Sequence, residues 1–141
     1  MVNYQVIECQ KSDRDFFYDK LVEYNFSQVP PVNDYRFIDV SRKIVDENGA
    51  MIAGILGNLD AWGCLHVEIL WIDMAHRKTG IGSKILKEVE TISKTNGCYL
   101  VHLDTFDFQA KDFYLKNGYE IFGVLDDCPL GHKRYFLKKY L

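Results

Sequence analysis

The sequence has three prolines and four cysteines in 141 residues, and no long apolar run. Each shortage excludes something. A membrane-spanning helix needs about 20 consecutive apolar residues, and no stretch supplies them. The N-terminus carries no basic segment followed by an apolar one, as a secretory signal would. Cys9, Cys64, Cys98 and Cys128 lie far apart and include no C-x-x-C pair. Disulfide frameworks and metal sites need closer or more regular spacing, so reduced thiols and no metal are expected. Neither sign of charge dominates, with 17 Lys and Arg against 20 Asp and Glu and a net charge of −3. Nucleic acid or a membrane surface as partner calls for a basic face, so neither is expected. Repeats, linkers and low-complexity tracts are missing too. These exclusions leave a single cytoplasmic domain over residues 1–141.

What the chain does have is apolar and aromatic weight, 48% and 14% of residues. That suffices for a real core, and the aromatic share points to tight packing or an aromatic-lined pocket. Val2 to Cys9 reads as a first strand. Ser12 with Asp15 resembles a capping box, opening a helix with Phe17, Leu21 and Tyr24 on one face. Pro30-Pro31 breaks what precedes it. Phe37 to Val45 and Met51 to Leu56 read as strands joined by the hairpin signal Asn48-Gly49. Leu65 to Asp73 is the central strand. The next helix sets Ile81, Ile85, Val89 and Ile92 near one face and closes at Asn96-Gly97. Cys98 to Asp104 is a strand, and Gln109 to Asn117 a short helix closed again by Asn-Gly. Tyr119 to Leu125 and Lys133 to Tyr140 form a long hairpin. This mixed order predicts one α/β sheet with parallel and antiparallel pairs and helices on its faces.

The segment Arg77-Lys78-Thr79-Gly80-Ile81-Gly82-Ser83 carries the most chemistry. It joins a strand to a helix N-terminus, where unpaired N–H groups and the helix dipole favour an anion. Gly80 and Gly82 let a phosphate approach the backbone, and Arg77 and Lys78 add positive charge. A dinucleotide fingerprint would need a third glycine at Ile85, and a P-loop would need Gly-Lys-Ser/Thr. Neither is present. A plain tight turn is the bland alternative.

On the central strand, Leu65, Val67, Ile69 and Trp71 alternate with His66, Glu68, Leu70 and Ile72, so His66 and Glu68 share a face. A carboxylate inside an apolar strand is costly unless paired or solvated in a cleft, and burial there suits a general base. The competing reading pairs Glu68 across strands or turns it to water. His66 taken alone reads as a hydrogen-bonded structural residue, and His102, inside an apolar strand, as a structural one. His132, in the hairpin loop, is expected to be exposed, and Lys133-Arg134 and Lys138-Lys139 read as solvated charges. Downstream, Ala110, Phe113 and Tyr114 share a helix face. Tyr114 is either a core tyrosine or an acid, since a phenol of pKa about 10 can protonate a thiolate whose conjugate acid lies near 8.5.

Together these residues resemble the GNAT superfamily of acetyl-CoA-dependent N-acetyltransferases, in its small bacterial single-domain form. The motif Arg/Gln-x-x-Gly-x-Gly/Ala is matched by Arg77, Gly80 and Gly82. The later signature is matched by Ala110, Phe113-Tyr114 and Gly118-Tyr119. The resemblance implies a mostly antiparallel mixed sheet of six to seven strands with about four helices, its central strands splayed into a cofactor cleft. It implies acetyl-CoA as cosubstrate, with the backbone of Ile72, Asp73 and Met74 pairing with the pantetheine arm. The amides of Lys78, Thr79, Gly80, Ile81, Gly82 and Ser83 would hold the pyrophosphate. Tyr114 would be the general acid, and Glu68 or His66 the base, directly or through water. Asp107 stands where many members have a cofactor-contacting Asn, so no such contact is carried over. The implied reaction is direct attack by a primary amine, of a small molecule, in a ternary complex. Protein or peptide acetylation and non-catalytic acyl-CoA binding are the alternatives, and a homodimer stays open.

Overall fold

The structure is a computed structural model describing all 141 residues, which fall into two compact units, Met1–Pro31 and Val32–Leu141. In the first, helix α1 (Lys11–Gln28) follows an extended segment. Val2 to Cys9, expected as a strand, joins no ladder there. Alternating side chains make a strand only where a neighbouring edge supplies hydrogen-bond partners. The helix also starts earlier than the Ser12–Asp15 pair suggests: Asp13 Oδ2 accepts from the Gln10 N–H at 2.7 Å, which places the cap two residues upstream.

The second unit is a seven-stranded sheet with three structural features beside it. Its strands are β1 (Phe37–Asp39), β2 (Arg42–Val45), β3 (Met51–Asp60), β4 (Cys64–Ile72), β5 (Leu100–Phe106), β6 (Glu120–Asp126) and β7 (Lys133–Tyr140). They run in the order β1-β3-β4-β5-β7-β6, with β2 also pairing β3. Only β4 and β5 pair in parallel. Beside the sheet lie α2 (Ile81–Thr95), α3 (Lys111–Lys116) and a 3-10 turn at Met74–His76. The chain therefore has three α-helices where about four were expected, with the short 3-10 turn besides.

The expected strand Phe37 to Val45 is two strands, broken at Val40-Ser41. Gly57 accounts for the break: its carbonyl takes the Val40 N–H at 3.0 Å and its N–H donates to Ser41 Oγ at 3.1 Å. The Asn48-Gly49 hairpin forms as expected, with Asp46 Oδ1 accepting from Asn48 and Ala50 and Gly49 at φ 82°. The apolar face of α2 (Ile85, Leu86, Val89) packs with Leu65, Val67, Val101, Leu103 and Leu137 to make the core. One ionised network is built into it. Glu90 of α2, 8% exposed, accepts from Tyr119 Oη at 2.6 Å and from Lys139 Nζ at 2.9 Å. Lys139 is thus not a solvated tail charge.

Candidate active site

The site begins where two parallel strands part. β4 and β5 pair only over Cys64–Leu100, Leu65–Val101 and His66–His102, then run on to Ile72 and Phe106 without pairing. The cause is on β4. Val67 is the partner of Gly57 and Ile69 of Leu56, leaving Glu68 as an extra residue in a β-bulge. An extra residue bends and twists its strand, which carries β4 away from β5.

The bulge also exchanges the faces of the strand. Leu65 and Val67 are buried, but beyond Glu68 it is Leu70 and Ile72 that turn inward, while Ile69 and Trp71 are exposed. Strict alternation put Ile69 and Trp71 with Leu65 and Val67; the inserted residue overturns that. Glu68 itself is exposed. The burial expected of a general base is therefore absent at this position.

The open edge of β4 exposes backbone groups to the gap. The Asp73 N–H bonds to Ile52 O at 2.8 Å, so alternation turns the polar groups of Ile72 the other way. There the Ile72 carbonyl accepts from Arg77 Nε at 3.1 Å. Arg77 is therefore clamped to the end of β4 rather than standing free at the rim. Asp73 caps the 3-10 turn, accepting from the Ala75 N–H and pairing with His76 Nδ1, each at 3.2 Å.

Next comes the turn expected to take an anion. Lys78 at φ 62° and Gly80 at φ 87° reverse the local backbone. The six N–H groups from Lys78 to Ser83 find no acceptor in the protein; the first to do so is that of Lys84, bonded to Gly80 O at 3.1 Å. They lie together at the positive end of the 15-residue helix α2. Gly82 is also where the two sequence blocks meet. A Cβ there would stand 3.1 Å from the Phe113 ring, so α3 packs directly on the start of α2.

That contact places Tyr114. It is 5% exposed, with its ring edge-on to those of Phe113 and Tyr119. Its hydroxyl bonds to no protein group, yet the one fully buried unpaired side-chain polar atom is Ser93 Oγ. The Tyr114 hydroxyl therefore reaches open space. Burial, helped by the Asp104 carboxylate, pushes its pKa up to about 12, so it keeps its proton at any physiological pH. No hydrogen bond links it to Glu68 or His66.

His66 and His102 are brought together. Their rings stack with centroids 5.0 Å apart and 24° between planes, at the last paired position before the strands part. Neither ring has a hydrogen-bond partner in the protein, unlike the hydrogen-bonded role expected of His66. Burial, followed by the neighbouring His66, lowers the pKa of His102 below its ordinary value.

Two groups at the end of β5 are already occupied. Asp107 Oδ1 bonds to His132 Nδ1 and Oδ2 accepts from the Lys133 N–H, both at 2.9 Å. The carboxylate, held below its usual range by Lys133 and His132, ties down the β6–β7 loop rather than facing a ligand. Arg134 Nε donates to Asp104 at 2.7 Å, and its guanidinium lies over Phe106 and Phe136. Sequence reasoning missed the Arg77 clamp, which closes on Ile72 five residues away, and Glu90 and Arg134, whose partners lie far along the chain. The bulge had one signal, a lone Glu inside an apolar strand. No cluster of three or more His, Cys, Asp or Glu is placed to hold a metal, the four cysteines are free, and no helix is long and apolar enough to cross a membrane.

Residues 7–119 match the family described as Acetyltransferase (GNAT) family. The chain is 33% identical over 113 residues to blasticidin-S acetyltransferase of Streptomyces morookaense, covering 79% of this chain and 82% of that one. The crystal structure of an acetyltransferase from Bacillus cereus superposes with a TM-score of 0.88 at 34% identity, covering 98% of both chains. An acetyltransferase from Bacillus anthracis, solved with acetyl coenzyme A, shares the fold alone, with a TM-score of 0.64 at 17% identity over 77% of this chain and 65% of that one.

Proposed function

Because this chain belongs to the GNAT acetyltransferase family, we propose that it transfers the acetyl group of acetyl-CoA to a primary amine of a small molecule. The observation that carries this reading is the run of six unclaimed amides, Lys78 to Ser83, beside the β4–β5 gap. They suit the pyrophosphate, with Arg77 and Lys78 adding charge. The β4 edge at Ile72, Asp73 and Met74, on the side away from β3, suits the amide-bearing pantetheine arm, which would lie along it as a strand does, with the Arg77 contact to the Ile72 carbonyl giving way. The match from residue 7 to residue 119 crosses both compact units and supports one catalytic domain.

The proton count defines what the side chains must do. The amine arrives as R–NH₃⁺ and leaves as an amide with one N–H, so nitrogen gives up two protons. Glu68 or His66 accepts the first, directly or through water, which frees the lone pair. The C–N bond forms as the C–S bond breaks, and an N–H of the β4 edge near Ile72 stabilises the oxygen that gains charge. Tyr114 gives its proton to the sulfur and regains one from nitrogen through water. One proton in total leaves the site. A small amine is supported by the name of the Streptomyces relative, an antibiotic acetyltransferase.

Calorimetry with acetyl-CoA, followed by a thiol-release assay over small amines, blasticidin S and peptides, tests the reading. Binding with release for a small amine is expected. Release with peptides alone would shift the acceptor class, and binding with no release at all would leave an acyl-CoA-binding module.

A further inference from the structure

One proton must leave the gap in each turnover, and a pair of imidazoles without hydrogen bonds stands at its floor. His66 and His102 are register partners at the rung where β4 and β5 separate. They lie on the face opposite the α2 core: their strand neighbours Leu65, Val67, Val101 and Leu103 are all buried on the other side. The charged groups around them are already engaged. Lys138, opposite His102 on β7, is turned to Glu120 at 3.9 Å and lies over the Phe122 and Tyr140 rings. Asp104, two residues along β5, holds Arg134. Asp60 accepts from the Trp62 and Cys64 N–H groups. Opposite His66 on β3 is the neutral Asn58. Glu68, two residues along β4, is the one nearby carboxylate left to solvent.

We propose that His102, with His66 stacked on it, takes the proton of the acceptor's ammonium group through water in the gap, while Glu68 attracts that group by its charge. The proposal rests on the acetyl-transfer reading and moves the first proton acceptor from Glu68 or His66 to His102. The proton passes from nitrogen to an unoccupied ring nitrogen of His102: R–NH₃⁺ becomes R–NH₂, imidazole becomes imidazolium, and the imidazolium later returns the proton to solvent. Two stacked imidazoles resist carrying two positive charges, so the pair keeps a neutral ring at neutral pH. Burial acts on His102 in the same direction. A base that is neutral and half-buried at working pH is the form that general-base chemistry needs.

The experiment is the pH dependence of kcat/KM for the acceptor at saturating acetyl-CoA, from about pH 5.5 to about pH 9.5. His102→Gln should lose about 100-fold near neutral pH and recover to within about threefold at the alkaline end, where the amine deprotonates unaided. His66→Phe removes a like charge, so the acid limb should move to higher pH. An NMR titration of His102 in the unmutated protein should give a midpoint below 6.5, and it holds even if a variant misfolds. A His102→Gln profile parallel to the parent's, or a midpoint above 6.5, would overturn the proposal. If the parent protein releases no thiol at any pH, the acetyl-transfer reading itself falls, and this proposal with it.

Discussion

Tyr114 and Tyr119 stand edge to face, 5.6 Å between ring centroids, both nearly buried at 5% and 3% exposure, and their hydroxyls have opposite fates. Tyr119 donates to Glu90, whose other oxygen takes Lys139. Tyr114 donates to nothing in the protein. Gly118, at φ 90°, turns the chain between them and lets the Tyr119 N–H close on Tyr114 O at 3.0 Å. One phenol is a strut. The other keeps its hydroxyl unbonded, as the proton-donor role proposed for it requires.

Tyr114→Phe should lower kcat by about 100-fold. Acetyl-CoA binding should stay within about twofold, because the ring packing is retained. Steady-state rates with calorimetry decide it, and an unchanged kcat removes Tyr114 from the reaction. The same variant has an alkaline signature. The Tyr114 pKa is raised from 10.0 to about 12, so its stabilising effect is complete below pH 10 and lost as pH rises toward 12. Over that window the parent should lose about 3 kcal/mol more than the variant in denaturant titrations.

Lys139→Met leaves the buried Glu90 carboxylate without its cation and should cost about 3–5 kcal/mol. Tyr119→Phe removes one hydrogen bond to the same group and should cost about 1–3 kcal/mol. Adding Glu90→Gln to Lys139→Met should restore much of the loss, since the unpaired charge is gone. Urea denaturation of the three variants checks the order. A double variant no more stable than Lys139→Met would show that packing, not charge, sets the cost.

Gly80→Ala and Gly82→Ala should fail in different ways. At Gly80 a Cβ meets nothing within 4 Å, but φ is 87°, so the loss is backbone strain of about 1–2 kcal/mol. At Gly82 the backbone is ordinary and the Cβ would press on Phe113 at 3.1 Å. Its methyl would also stand beside the unclaimed amides, and acetyl-CoA affinity should fall about tenfold, or about 1.4 kcal/mol. Thermal melts and calorimetry separate the two, and equal affinities for Gly82→Ala and the parent would contradict the placement of the anion there.

Much of this was legible along the chain because its signals are local. Helix α2 ends at Asn96-Gly97, where Gly97 takes φ 90°, and the Asn48-Gly49 turn closes as its residues dictate. The glycine turn needs only consecutive residues: Gly80, Gly82 and a helix to follow. Elsewhere, partner strands decided. Val2 to Cys9 has the alternation of a strand and no ladder to join. Phe37 to Val45 reads as one strand until Gly57 of β3 engages both sides of its break. Glu68 follows a regular pattern until pairing with β3 leaves it out of register.

The sequence by itself determined the family, the glycine turn that opens α2 and the identity of Tyr114 as a candidate acid, because these reside in short runs of side-chain types and glycines. Tertiary structure alone decided which tyrosine is bonded, which face Glu68 takes, and that His66 and His102 meet. The reason is physical: hydrogen-bond partners and burial depend on residues well separated along the chain, such as Glu90 and Lys139, which only folding brings within 2.9 Å.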